Sequence, residues 1–129
     1  VLAATKNWLN SKDAASPDYD RYCCEALWIQ QSHHRVDVDL LSQVLKSAKA
    51  PEARAAAVRI AADMREEIPQ AEELLIAAAA DAHARVQTEA ARGLSFFPTK
   101  PAMKALFSMT NAAPDYWRDY TVQHALGPN

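Results

Sequence analysis

Apolar residues recur at intervals of three and four along most of this chain, broken by short polar or proline-bearing stretches. That spacing predicts amphipathic helices. The clearest case is Asp81–Phe97, where Val86, Ala90, Leu94 and Phe97 form one stripe. Reading outward from it gives eight helices. The first lies within Val1–Asn10, with Leu2, Thr5, Trp8 and Leu9 on one face. A polar loop follows, and Asp18 is placed to cap a second helix whose inward residues are Tyr19, Cys23, Ala26, Leu27 and Gln30. Asp37 or Val38 starts a third, carrying Leu40, Leu41, Val44, Leu45 and Ala48. Pro51 opens a fourth that reaches about Glu67, with Ala53, Ala57, Ile60, Ala61 and Met64 inward. Pro69 starts a fifth around Ala71, Leu74, Leu75 and Ala78, and Asp81 starts the sixth. The seventh follows Pro98 and Pro101 with Met103, Leu106, Phe107 and Met109 or Thr110 repeating the spacing. Ala113-Pro114-Asp115 restarts the chain for an eighth, through Trp117, Tyr120, Thr121, Val122, Ala125 and Leu126, which Gly127-Pro128 ends.

The helices group in pairs. Ala26-Leu27, Ile60-Ala61, Gly93-Leu94 and Ala125-Leu126 fall 34, 33 and 32 positions apart, on alternate helices. An arginine lies near the start of each of these helices (Arg21, Arg54, Arg85, Arg118), preceded by an acid (Asp18, Glu52, Asp81, Asp115). A period in this range is the mark of stacked helical pairs, each unable to bury its apolar face alone. The expected fold is an all-α, right-handed α-solenoid of about four antiparallel helix pairs forming one domain, 1–129, with approximate repeats 1–33, 36–67, 69–97 and 99–127.

Composition agrees. Half of the residues are hydrophobic, glycine occurs twice, and no run alternates for long enough to make a strand. The formal charge of −2 argues against nucleic acid or an anionic membrane surface as partner. No apolar run approaches the roughly 20 residues of a spanning helix, so direct membrane insertion is not expected. The chain starts at Val1 and ends at Gly127-Pro128-Asn129, which reads as a piece of a longer protein. Cys23 and Cys24 are adjacent and point about 100° apart on a helix, so they cannot bridge each other there. One is expected in the core and the other near the surface.

The pattern Asp-x-x-x-Arg-Val-x-x-x-Ala-Ala-x-x-Leu of Asp81–Leu94 resembles a HEAT repeat of the short bacterial kind also found in phycobilin lyases. Four phrases, at Arg21–Gln31, Ala53–Glu66, His83–Phe97 and Asp115–Leu126, resemble the HEAT region of large membrane-bound dehydrogenases of planctomycetes and their relatives. That resemblance implies a bacterial, exported, periplasmic or membrane-associated parent. In it, this segment lies between a dehydrogenase-like propeller and a C-terminal c-type cytochrome domain. The haem-attachment motif Cys-x-x-Cys-His is absent from the 129 residues, so no cofactor is expected in this segment and haem c only elsewhere in the parent.

Each candidate group has a plain structural explanation beside a functional one. The recurring acids and arginines (Asp18, Arg21, Glu52, Arg54, Asp81, Arg85, Asp115, Arg118) read as a ladder tying repeat to repeat, with an anion-lining surface as the alternative. His33 and His34 are adjacent in a loop and His83 and His124 lie at helix ends, without the spacing a metal needs. His124 is set one turn after Tyr120 for a packed pair. Gly93 in mid-helix implies close packing against Phe96, Phe97 or a neighbouring helix. Glu66, Glu67, Glu72 and Glu73 read as solvated rather than as an acid–base pair. Aromatic residues on the first long helix and on the last are expected to pack on neighbours or meet a partner.

The leading function is therefore a non-catalytic scaffold and interaction module with a protein partner, whose contact surface is expected at Tyr22, Arg54, Arg85, Trp117, Arg118 and Tyr120. A HEAT-like enzyme, phycobilin-lyase-like or alkylpurine-DNA-glycosylase-like, is the alternative. Asp115 and Asp119 beside Trp117 suit the glycosylase form, while the negative charge opposes it.

Overall fold

The computed structural model describes residues 1–111 and 115–127. Ala113, Pro114 and Pro128, expected to punctuate the last helix, lie outside the described residues. The elements are α1 (Leu2–Asn10), α2 (Tyr19–Ser32), α3 (Val38–Ser47), α4 (Pro51–Asp63), α5 (Ala71–Ala79), α6 (Ala84–Leu94), α7 (Lys100–Ser108), a 3₁₀ turn (Met109–Asn111) and α8 (Tyr116–Leu126), with no strand among the described residues. Successive helices pack as the pairs α1–α2, α3–α4, α5–α6 and α7–α8, and α2, α4, α6 and α8 stack on one another in that order. This is an all-α solenoid of four helix pairs.

Local chemistry sets the helix starts. The Asp37 carboxylate accepts from Leu40 N–H (3.2 Å), the Thr99 hydroxyl from Ala102 N–H (3.2 Å) and the Asp115 carboxylate from Arg118 N–H (2.9 Å). Pro51 opens α4 as expected. Asp18 takes the cap position of α2, but its side chain makes no cap bond. Three boundaries differ from the periodic pattern: α4 stops at Asp63, α5 starts at Ala71 and α6 starts at Ala84. At the last of these, the Asp81 carboxylate accepts from His83 N–H (2.9 Å), an Asx turn that holds the chain out of helix before His83 caps α6.

The core runs the length of the stack between the two helix layers. α4 buries Ala53, Ala55, Ala57, Val58, Ile60, Ala61 and Ala62, residues from all round its circumference, since α2 and α6 flank it and α3 and α5 pack against it. Alanine lets those neighbours come close. Gly93 of α6 takes this further: a Cβ there would lie 2.8 Å from Leu75 Cδ2 on α5 and 3.0 Å from Ala62 Cβ on α4. The neighbouring helices, not Phe96 or Phe97, are what require the glycine.

Both cysteines are buried, against the expectation that one lies near the surface. α1, α3 and α4 cover α2, and Cys24 Sγ lies 3.8 Å from the Ala53 carbonyl oxygen. Burial pushes the Cys24 thiol up to about 11. Met103 and Phe107 are also corrected: both are exposed, because α7 buries only Ala102, Ala105 and Leu106.

Gln30 is the polar residue most completely enclosed. Its amide donates to Thr5 Oγ1 (2.9 Å) on α1 and accepts from Asp37 N–H (2.8 Å) ahead of α3, joining the first two pairs. Gln30→Met keeps the volume and leaves the half-buried Asp37 N–H without its acceptor, so it is expected to lower unfolding free energy by about 1–2 kcal/mol in urea denaturation.

Candidate interaction surface

A chain of polar contacts crosses the second-helix layer. The Asp20 carboxylate accepts from the N–H groups of Lys49 and Ala50 (3.0 and 3.1 Å) at the α3–α4 turn. Arg54 donates back to the Ala48 carbonyl (2.8 Å) and clasps Asp81 with two bonds, Nε–Oδ2 at 2.8 Å and Nη2–Oδ1 at 3.1 Å. Gln87 Nε2 donates to the Asp81 carbonyl oxygen (2.7 Å), and Gln87 Oε1 accepts from Arg118 Nη1 (3.1 Å). Arg118 then holds Asp119 Oδ1 through Nε and Nη2. Burial raises the Asp81 pKa, but the hydrogen bonds from Arg54 and His83 N–H and the Arg54 charge outweigh it and hold the carboxyl below its ordinary value. Asp119 is likewise held low, by the N–H of Asp115 and by Arg118.

The rungs are not quite those the motif suggested. Arg54, Asp81 and Arg118 belong to the ladder. Asp20, Gln87 and Asp119 complete it, where Asp18, Glu52 and Arg85 were expected. Asp20, Arg54, Gln87 and Asp119 are spaced 34, 33 and 32 residues apart, the same intervals that relate the Ala-Leu pairs. Applying that register to Arg54 finds Gln87. Searching for a like residue type finds Arg85, two positions away and on another face. Arg21 stays within its own segment, in long, exposed contacts with Asp18 (3.9 Å) and Glu25 (3.8 Å) and over the Tyr22 ring (5.3 Å). Asp115 serves as the cap of α8.

Two of the six residues expected at a partner-facing surface are taken by this ladder. Arg118 is 4% exposed and packed inside the stack. The Arg54 side chain is 17% exposed and held by Asp81. Tyr22 is half-buried, edge-on to Trp8 of α1 at 5.8 Å with Lys12 above both rings. Trp117, Tyr120 and Arg85 do lie on the surface. Trp117 joins Tyr116 (68% and 71% exposed) and Tyr120 in a mutual ring cluster with centroids 4.9–6.4 Å apart, and Tyr120 packs on His124 at 4.2 Å. The two carboxylates beside Trp117 are both engaged, Asp115 with the Arg118 N–H of α8 and Asp119 with the Arg118 guanidinium.

Arg85 lines a groove of about 370 Å³ on the second-helix face, with Trp28 and Gln31 of α2, Glu52, Arg59 and Asp63 of α4, and Glu89 of α6. Trp28 is one of the aromatics of the first long helix expected to pack or meet a partner, whereas Arg59 and Glu89 carry no motif signal and come to the groove only through the stacking of α2, α4 and α6. A wider cleft of about 780 Å³ lies at the α1–α2 loop and the α3–α4 turn, beside Tyr19, Cys23 and Gln43. Among the described residues no three His, Cys, Asp or Glu side chains gather as a metal set, and no helix is long and apolar enough to cross a membrane.

Comparison with known proteins agrees with this architecture. Neither the curated proteins nor the solved structures give a match. The family profile described as HEAT repeats matches residues 38–127, from the start of α3 to the end of α8. With well over half of its length matched, the chain belongs to the HEAT-repeat family.

Proposed function

We propose that this chain is a non-catalytic module that holds two flanking domains of a larger redox protein, a dehydrogenase-like domain and a c-type cytochrome domain, in fixed relation. HEAT repeats are helical scaffolds that mediate protein interactions, and the coarse part of the reading follows from membership of that family. The observation that carries the proposal is the unbroken polar ladder from Asp20 to Asp119, which ties each second helix to the next and makes the stack suited to spacing domains. The parentage rests on the phrases at Arg21–Gln31, Ala53–Glu66, His83–Phe97 and Asp115–Leu126.

The test uses the whole reading frame that encodes the chain. A Cys-x-x-Cys-His after Asn129, and a product that stains for covalent haem, are the expected result. A frame that closes near Asn129 without that motif overturns the redox parentage.

A further inference from the structure

We infer that the outer face of the last helix pair, α7 with α8, is an interface at which a second copy of this chain docks end to end. This goes beyond the spacing role, which concerns flanking domains of one polypeptide, and joins two polypeptides.

The repeat register identifies the face. Inside the stack, α4 and α6 receive the next second helix on a stripe of small residues. On α4 that stripe is Ala55, Val58 and Ala62, all buried, and Gly93 of α6 closes against Ala62. The same register gives Thr88, Ala91 and Ser95 on α6, with Ala91 fully buried, and Tyr120, Gln123 and Gly127 on α8. The first-helix layer repeats the argument. On α5, Glu72 accepts from the Thr99 hydroxyl ahead of α7 (2.6 Å), and Ile76 follows one turn later, half-buried. Ala71 and Leu75 of α5 match Ala102 and Leu106 of α7, all four buried, so Glu72 and Ile76 match Met103 and Phe107. The stack is therefore built to be covered at Met103, Phe107 and Tyr120.

These positions are bare. Among the described residues ten large hydrophobic side chains are exposed, and five belong to this pair: Met103 (41%), Phe107 (56%), Tyr116, Trp117 and Tyr120 (49%). At about 200 Å² for a large side chain, they leave roughly 550 Å² of face uncovered. The end pair of a monomeric solenoid carries a polar outer face, and this one does not.

Size and charge select the occupant. The stripes that receive a further repeat are small, which sets the close helix spacing of the stack. Tyr120, stacked with Tyr116 and Trp117, departs from that pattern and has the composition of an interface between molecules. The five side chains carry no formal charge, and Asp119 beside them is held by Arg118. Lys104 matches Glu73, which stays exposed with α7 in place, so it stands off the face. Two copies can then meet without opposing like charges. Mating two such faces removes roughly 1,100 Å² from water, at the lower end of what a specific interface buries. A closed two-fold pair covers both faces at once.

The experiment is sedimentation velocity on the 129-residue chain over about 5–500 µM, the range of a small interface. The average mass is expected to rise from one chain to two and stop there. Phe107→Glu and Trp117→Glu should each weaken the dimer at least tenfold, the scale of an interface hot spot, and together leave a monomer. Trp28→Glu, at an exposed tryptophan far along the stack, should leave the dimer unchanged. Both end-face side chains are largely exposed, so circular dichroism of the variants should match the parent chain. A chain that stays monomeric throughout, a dimer indifferent to both end-face substitutions, or growth past two copies overturns the proposal. So does a monomeric chain extended by about 40 residues of its own reading frame, since a following pair would then be the cover. The haem test of the parentage is read separately and is unaffected by any of these outcomes.

Discussion

Gly93→Leu is expected to destabilise the stack by about 3 kcal/mol, at the upper end of the overpacking range. The first side-chain carbon already has no room, with Leu75 Cδ2 at 2.8 Å and Ala62 Cβ at 3.0 Å. Leu75 can swing its methyl aside, but Ala62 is fixed to the backbone of α4, and further carbons must separate α6 from α4 and α5. Gly93→Ala makes the informative comparison. It gains about 1 kcal/mol of helix propensity and gives back a similar amount in moving Leu75 and pressing on Ala62. It should stay within about 1 kcal/mol of the parent chain. Urea unfolding of both variants decides the point. A Leu variant as stable as the Ala variant would show that α4 and α6 are not held at this distance.

The second large effect concerns the Arg54–Asp81 clasp. Its side chains are 17% and 12% exposed, and it joins the second pair to the third. Arg54→Ala leaves the Asp81 carboxylate without its two guanidinium bonds and the Ala48 carbonyl without its donor, and should cost about 2–3 kcal/mol. Asp81→Ala should cost a similar amount, because it strands Arg54 and also removes the Asx turn before α6. The double variant should lose clearly less than the two losses together. The sign with pH follows from the lowered Asp81 pKa. Its stabilisation is complete above the ordinary carboxyl value of 3.8 and disappears as the pH falls from there through the lower folded value. Asp81→Asn should lack that acid-side decline. An additive double variant, or an unchanged acid limb in Asp81→Asn, counts against the clasp.

Much of the fold could be read from periodicity because the packing unit is short. The inward residues of α2, α3 and α4 were expected at Leu27, Leu41, Val44, Ile60 and Ala61, and all are buried. Periodicity failed at α7, where Met103 and Phe107 look as apolar as Leu106 but face away from the stack. It also misplaced the start of α6, since Asp81 has two acceptor tasks that keep the chain out of helix.

The site was less legible. Residue type pointed to Arg85 as a rung, yet the register fixed by Ala26-Leu27 and its counterparts puts the uncharged Gln87 there. The groove has no linear signature, because Trp28, Arg59 and Arg85 come from three helices. An arginine's commitment is also invisible in sequence: Arg118 and Arg85 occupy similar motif positions, one packed inside and the other free at the surface.

Gln87 gives the stack an uneven response to acid. The rung between α4 and α6 depends on a carboxylate, whereas the bond from Arg118 to Gln87 is accepted by an amide oxygen that gains no proton in this range. As the solution is acidified, the seam after α4 slackens while the contact of α6 with α8 keeps its Gln87 rung.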